Sequence, residues 1–237
     1  TTAMAIGAGQ KPSVISAIMK YHTTELSRAI GTDAMDIHGG KAVMLGPKNY
    51  LSTAHEAAPI AITVEGANIM TRSLIIFGQG AFRCHPHVLK EIEAVNLEDQ
   101  TEAIEQFDIH FFNHVGYTMS NAARSLVRGI TERFTNSPVL DETAIYYKQI
   151  NRFSAAFALL TDVSMLVIGG SLKRKETISA RLGDVLSSLY LASTSLKYYE
   201  DVGNKEAELP LVHWTQKTLI NEAQEKIHQT LSNFPNK

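Results

Sequence analysis

MDIHGGKAVMLGPKNYLSTAHEAAPIAITVEGANIMTR, Met35 to Arg72, joins a Gly39-Gly40 break to a lone carboxylate, Glu65. Upstream, Pro12 is placed to open a helix, since its missing N–H is one of the donors left free at a helix start. Val14, Ile15, Ile18, Met19, His22, Leu26, Ile30, Ala34 and Ile37 then recur at spacings of three and four, a helical stripe that ends at the glycine pair. Gly46-Pro47 and Pro59 are poor inside a helix, which predicts loop, a short helix around Lys48 to Ala57, and loop again. Glu65 then falls at a helix start. Apart from Pro59 and Arg72, its neighbours from Ala57 to Leu74 are apolar or small and polar, so burial there would leave an ionised carboxylate poorly solvated. Its pKa would rise, as a general base requires.

Downstream, Ile69, Leu74, Ile75, Ile76 and Phe77 make the segment from Glu65 to about Phe82 apolar on more than one side, as in a helix packed among others. Pro86 breaks it and opens a helix to Val95. Amphipathic segments follow at roughly Gln100 to Phe134, Asp141 to Gly169, Glu176 to Val202 and Leu209 to Phe234, separated by Pro138, Gly169-Gly170, Gly203-Asn204 and Pro210. No strand-like alternation appears, and no internal repeat or low-complexity run. The expected fold is all-α, a helical bundle followed by a further helical region, with the acidic stretch Asn96 to Gln100 dividing residues 1–97 from 98–237.

A formal net charge of -2 over 237 residues leaves no basic surplus for many phosphates, so nucleic acid is not an expected partner. The single cysteine, Cys84, permits no intrachain disulfide and fits a reducing, cytoplasmic setting. Its context, FRCHPH, lacks a nucleophile turn, and the thiol reads as buried and inert. The N-terminus has neither a charged n-region nor a long apolar run, so it reads as an internal start rather than a signal peptide. Ser154 to Gly170 is the most apolar window, but it carries Asp162 and is shorter than the ~20 residues a bilayer needs, so no membrane span is expected. Lys173-Arg174-Lys175 reads as the solvated start of the next helix rather than a phosphate contact.

His110 and His114 have the i, i+4 spacing of a metal pair, but no His-Glu-x-x-His pattern accompanies them, and a structural role is expected. His85 and His87 flank Pro86 and read as helix-start or loop residues. No metal site is expected. Tyr146, Tyr147, Phe153, Phe157, Tyr198, Tyr199 and Trp214 are expected to pack between helices.

Asp36-Ile37-His38-Gly39-Gly40, followed by Ile62-Thr63-Val64-Glu65-Gly66-Ala67-Asn68 and Arg72, resembles the C-terminal helical domain of acyl-CoA dehydrogenases. In that family a helix ends in Gln-x-x-Gly-Gly-x-Gly and is followed by Tyr-Glu-Gly-Thr-x-x-x-x-Arg. KPSVISAIMKYH, AMDIHGGKAVMLGPKNY and AITVEGANIMTRS are similar to the long, bacterial-type enzymes of fatty-acid β-oxidation. The chain from about Gln100, including LKRKETISARLGDVLSSLYLAS and LPLVHWT, resembles their additional C-terminal helical region, so the likeness covers nearly all residues. Asp36 stands where many members have glutamine, Ala42 replaces the third glycine, and Ala67 replaces the threonine after Glu-Gly. The usual Arg-Asp pair before the glutamate motif is not recognisable.

The resemblance implies α,β-dehydrogenation of a fatty acyl-CoA to the trans-2-enoyl-CoA, with FAD as cofactor. Glu65 is then the base that removes the α-proton while the β-hydrogen leaves as hydride to the flavin. It also implies substrate contacts at Glu65 and Gly66, the Glu65 N–H meeting the developing oxyanion, and flavin contacts at Gly39, Gly40 and Ala67. Gly39 and Gly40 would approach the flavin of a neighbouring subunit. A homo-oligomer, an electron-transfer flavoprotein as acceptor, and a cytoplasmic site with peripheral association at the inner face of the membrane are expected on the same ground. The isolated chain, without the family's N-terminal and middle domains, is expected to be inactive. Read from the residues alone, Glu65 also suits a first-turn glutamate favoured by the helix dipole, and Gly39-Gly40 a simple C-cap. The alternative function is a non-catalytic all-α interaction or oligomerisation module.

Overall fold

The computed structural model describes residues 1–131 and 136–235, and among these there is no strand. The helices are α1 (Thr2–Gly7), α2 (Ser13–His38), α3 (Gly40–Val43), α4 (Leu51–Thr63), α5 (Asn68–Arg83), α6 (Val88–Val95), α7 (Gln100–Ile130), α8 (Ala144–Ile168), α9 (Glu176–Asp201) and α10 (Leu209–Ser232). The all-α expectation holds, and the apolar periodicity places the long helices to within a few residues. The predicted stretch from residue 132 to Phe134 lies outside the described residues.

Two local expectations change. Pro12 is the N-cap of α2, one position earlier than expected. Pro59 does not end α4, which starts at Leu51, where Asn49 Oδ1 accepts from the Leu51 and Ser52 N–H groups, and runs on to Thr63. Pro59 and His55 are both exposed, so the carbonyl that loses its helical donor can be hydrated. The last turn is closed by Thr63 Oγ1 donating to the Pro59 carbonyl and by Val64 N–H donating to Ile60.

Packing centres on α5 and α9. Val14 and Ile18 of α2 meet Ile76 of α5, with Leu186 and Tyr190 of α9 alongside. Phe77 and Ala81 of α5 share a second cluster with Leu160, Leu172, Ile178 and Leu182. Tyr146 and Ile150 of α8, Ala192, Leu196 and Tyr199 of α9, and Val212 and Ile220 of α10 form a third. Each fully buried aliphatic or aromatic side chain here stabilises by about 1.5–3 kcal/mol. Tyr198 and Trp214 do not join this packing; they are 59% and 68% exposed.

Residues Thr71–Gln79 of α5 are wound as a π-helix, and α9 crosses that segment closely. A Cβ built on Gly183 would lie 2.8 Å from the Arg72 carbonyl oxygen, which is backbone and has no rotamer to yield. Beside this crossing Arg72 forms a bidentate pair with Asp184, Nε to Oδ1 at 2.7 Å and Nη2 to Oδ2 at 2.5 Å. Gly183→Ala is therefore expected to lower stability by about 1–3 kcal/mol through overpacking, read as the urea midpoint. A midpoint equal to the parent's would show that the crossing is looser than described.

The apolar window of α8 is longer than expected. With its 3₁₀ continuation the helix spans Ala144–Arg174, 31 residues with a mean hydropathy of 1.8 in its best window, long and apolar enough to cross a membrane. Part of this apolarity is explained by burial of Tyr146, Ile150, Ala155 and Leu160, although Leu166 is 85% exposed. Lys173 and Arg174 lie in the 3₁₀ turn and Lys175 caps α9. The Lys173 ammonium sits 5.9 Å from the Phe82 ring centroid.

Candidate active site

α2 and α4 form a hairpin that returns the chain to where it began. At one end Tyr50 and His38 are joined by a 2.9 Å hydrogen bond. At the other, α4 and α5 meet at a 44° bend that contains Glu65. Glu65 is thus not the first residue of a helix. It occupies the bend at φ 56, followed by Gly66 at φ 83, and α5 begins at Asn68. Burial, expected from its neighbours, is not found: Glu65 is exposed. Arg72, a few residues on, faces Asp184 rather than Glu65, and no hydrogen bond or ion pair reaches the Glu65 carboxylate among the described residues.

Three side chains hold this bend. Lys20 Nζ donates to the Gly66 carbonyl at 2.8 Å and to Asn68 Oδ1 at 2.7 Å. Asn68, only 5% exposed, donates through Nδ2 to Glu25 Oε1 at 2.8 Å and Thr24 Oγ1 at 2.9 Å. Thr71 Oγ1 adds a second donor to the Gly66 carbonyl at 3.2 Å.

Gly39 caps α2 at φ 55, ψ -132, a conformation that disfavours a Cβ, and its N–H donates to the Met35 carbonyl at 2.9 Å. Nothing lies within 4 Å of a Cβ built at Gly39 or Gly40, so this turn is open on the side where a side chain would stand. It borders a cavity of about 700 Å³ lined by His38, Lys41, Ala42, Pro47, Asn49 and Tyr50 among others. Glu65 and Ala67 do not line it. Lys20, which marks the Glu65 end, and Gly39 are separated along α2 by about 28 Å at roughly 1.5 Å per residue.

The structure gathers a second cluster that the sequence reading missed. Asp162, 6% exposed in the C-terminal part of α8, accepts from His85 Nε2 at 3.0 Å and from Thr118 Oγ1 at 2.8 Å, with His114 Nε2 at 3.8 Å. His114 does not pair with His110; its Nδ1 lies 2.8 Å from Glu91 Oε1. The ligand atoms of His85, His114 and Asp162 lie within 4.8 Å of one another, near enough for a cation. The proton count opposes one. His85 Nδ1 faces the N–H groups of His87 and Val88 at 3.2 and 3.1 Å, so it is the acceptor nitrogen and Nε2 carries the hydrogen given to Asp162. The trio is thus a polar clasp joining the start of α6 to α7 and α8. Cys84, next to it, is exposed rather than buried.

This clasp and α2 make stability depend on acid. Burial lowers the pKa of His22, and burial with neighbouring His114 and His85 lowers that of His87, each from the usual 6.5. His22 Nε2 and His87 Nδ1 are buried with no hydrogen-bond partner among the described residues. Burial raises the Asp162 carboxyl, but hydrogen bonds from His85 and Thr118 outweigh it, leaving a net value below 3.8. The unfolded chain therefore binds protons more readily at all three groups. The histidine contributions are complete above about pH 6.5 and fade as pH falls through it; that of Asp162 is complete above about pH 4 and fades below. The urea midpoint is expected to be level from pH 8 to 7 and to decline from pH 6.5 to 5, less steeply in His22→Gln/His87→Gln. A midpoint that rises on acidification would contradict this.

The frame is thus an all-α domain in which a close-packed helix follows a bend that presents a lone carboxylate. Two family models match the chain: "Acyl-CoA dehydrogenase, C-terminal domain" over residues 1–78 and "Acyl-CoA dehydrogenase, C-terminal, bacterial type" over residues 82–237. The chain belongs to the acyl-CoA dehydrogenase family and carries its bacterial-type C-terminal region. No solved structure matches it. Both matched regions contribute to one packed core, since Phe77 of the first and Ala81, Leu160 and Leu182 beyond it share a cluster.

Proposed function

We propose that this chain supplies the α-proton base of an FAD-dependent acyl-CoA dehydrogenase that converts fatty acyl-CoA to trans-2-enoyl-CoA in β-oxidation, and that Glu65 is that base. The observation that carries the reading is a carboxylate with no protein partner, presented on an exposed bend whose backbone is fastened from below. Such a group is free to accept a proton from a ligand laid across it. Gly66, with no side chain, lets a thioester pass close to the backbone, and the Glu65 N–H lies outside any helix, open to the oxygen on which charge develops. Closure of the site by acyl-CoA and by the rest of the enzyme would bury Glu65 and supply the desolvation that this exposed bend lacks.

The bare turn at Gly39 and Gly40 would approach one FAD and Ala67, at the Glu65 end, a second; the chemistry FAD supplies is acceptance of the β-hydrogen as hydride. Because the glycine turn and the Glu65 bend lie at opposite ends of α2, the two would serve cofactors of different subunits. A homo-oligomer follows. We further propose an electron-transfer flavoprotein as acceptor, a cytoplasmic location with peripheral contact at the inner membrane face, and no turnover by the isolated chain. Replacing Glu65 by glutamine in an acyl-CoA dehydrogenase carrying this chain, with acyl-CoA turnover and flavin absorbance followed together, tests the assignment. Near-normal turnover would sink it.

A further inference from the structure

We propose that Lys20 is a positioning residue for Glu65: by gripping the Gly66 carbonyl from α2 it holds the bend in the shape that presents the carboxylate. The inference rests on Glu65 being the base.

Glu65 and Gly66 are consecutive residues at positive φ, 56 and 83. Glycine adopts that region freely, but a residue with a Cβ persists there at a cost of about 1–2 kcal/mol, so the surroundings must impose it. α4 cannot, because its last backbone bond at this end is Val64 N–H to Ile60, before the bend. α5 contributes the Thr71 hydroxyl at 3.2 Å and the Thr71 N–H, which donates to the Ala67 carbonyl. The short contacts come from α2. Lys20 Nζ spans Gly66 and Asn68 at 2.8 and 2.7 Å, and a charged donor to a carbonyl is among the stronger hydrogen bonds available.

Lys20 is in turn placed by its own helix. Thr24 Oγ1 donates to the Lys20 carbonyl at 2.8 Å and accepts from Asn68 Nδ2, while Glu25 accepts from the same amide. Lys20, Thr24 and Glu25 thus form a three-point seat on one face of α2. With two donors on the Gly66 oxygen, the Gly66–Ala67 peptide plane is fixed and the chain entering from Glu65 has little room to turn. Without the ammonium, the bend would relax toward negative φ and swing the carboxylate away from a fixed substrate.

The test uses a flavin-loaded acyl-CoA dehydrogenase carrying this chain. Lys20→Met is expected to lower kcat about 10–100-fold, the usual effect of a catalytic group displaced by an ångström, with KM for acyl-CoA and flavin content nearly unchanged. Lys20→Gln, which keeps a donor for the Gly66 carbonyl, is expected to recover at least about threefold of that loss. Added to Glu65→Gln, Lys20→Met should cost less than about twofold more, because both act through one group. Amide exchange at residues 64–68 should quicken in Lys20→Met while α9 and α10 stay protected. A kcat within twofold of the parent, or an equal loss in both backgrounds, would overturn the inference while leaving Glu65 in place. If Glu65→Gln itself turns over normally, the base assignment fails, and unchanged exchange at residues 64–68 would overturn the role of Lys20 separately.

Discussion

Glu65→Gln is expected to lower acyl-CoA turnover about 10²–10⁴-fold, the range that a positioned general base contributes. Glutamine has the same shape and reach, so flavin absorbance and acyl-CoA affinity should persist. What it lacks is a lone pair basic enough to take the α-proton. Glu65 has no protein partner among the described residues, so the exchange strands no buried donor, and a loss of activity cannot be traced to misfolding. Glu65→Asp keeps the charge but withdraws the carboxylate by one methylene, and a displacement of that size costs about 10². It should fall between the parent and the glutamine variant. Exchange of the substrate α-proton with solvent deuterium provides a second reading and should vanish in Glu65→Gln.

Asp162→Ala is expected to be the most damaging single change to stability, at about 2–4 kcal/mol, because it leaves two donors without their acceptor. His85 Nε2–H and the Thr118 hydroxyl both point at this carboxylate, and His114 stands 3.8 Å from it. Asp162 thus joins the turn before α6 to α7 and α8, beside a cavity of about 460 Å³ that it lines with Val88, Phe111 and Met165 among others. Asp162→Asn retains an acceptor for one donor but not the charge, and should lose about half as much. Chemical denaturation of the same chain decides the matter. Equal stability of parent and alanine variant would mean that the clasp is ornamental.

Much of the helical layout was legible because the apolar residues of Ser13–His38, Glu176–Asp201 and Leu209–Ser232 repeat with helical spacing and stop at glycine, proline or a polar stretch. Pro59 misled the reading of α4, since a proline's cost depends on whether the deprived carbonyl is wet, and that is a property of the fold. Cys84, Tyr198 and Trp214 were misjudged as buried for a related reason: composition gives average burial, and position decides the individual case. The environment of Glu65 was misread in the same way, since its apolar neighbours Ile60, Val64, Ile69 and Met70 are themselves 48 to 73% exposed and do not shield the bend from water.

The sequence by itself determined an all-α chain, the glycine turn at the end of α2, and the presence of a lone carboxylate at Glu65, because periodicity and motif spacing are local properties of the polymer. Only the tertiary structure decided what surrounds them. It brought Lys20, Glu25 and Asn68 together under the Glu65 bend and His85, His114 and Asp162 together around one carboxylate. These residues lie 43 to 77 positions apart at the contacts that matter, and no local pattern records which helix faces will meet. That choice follows from how α2, α5, α8 and α9 bury their apolar stripes, and the polar groups carried on those helices are paired as its consequence.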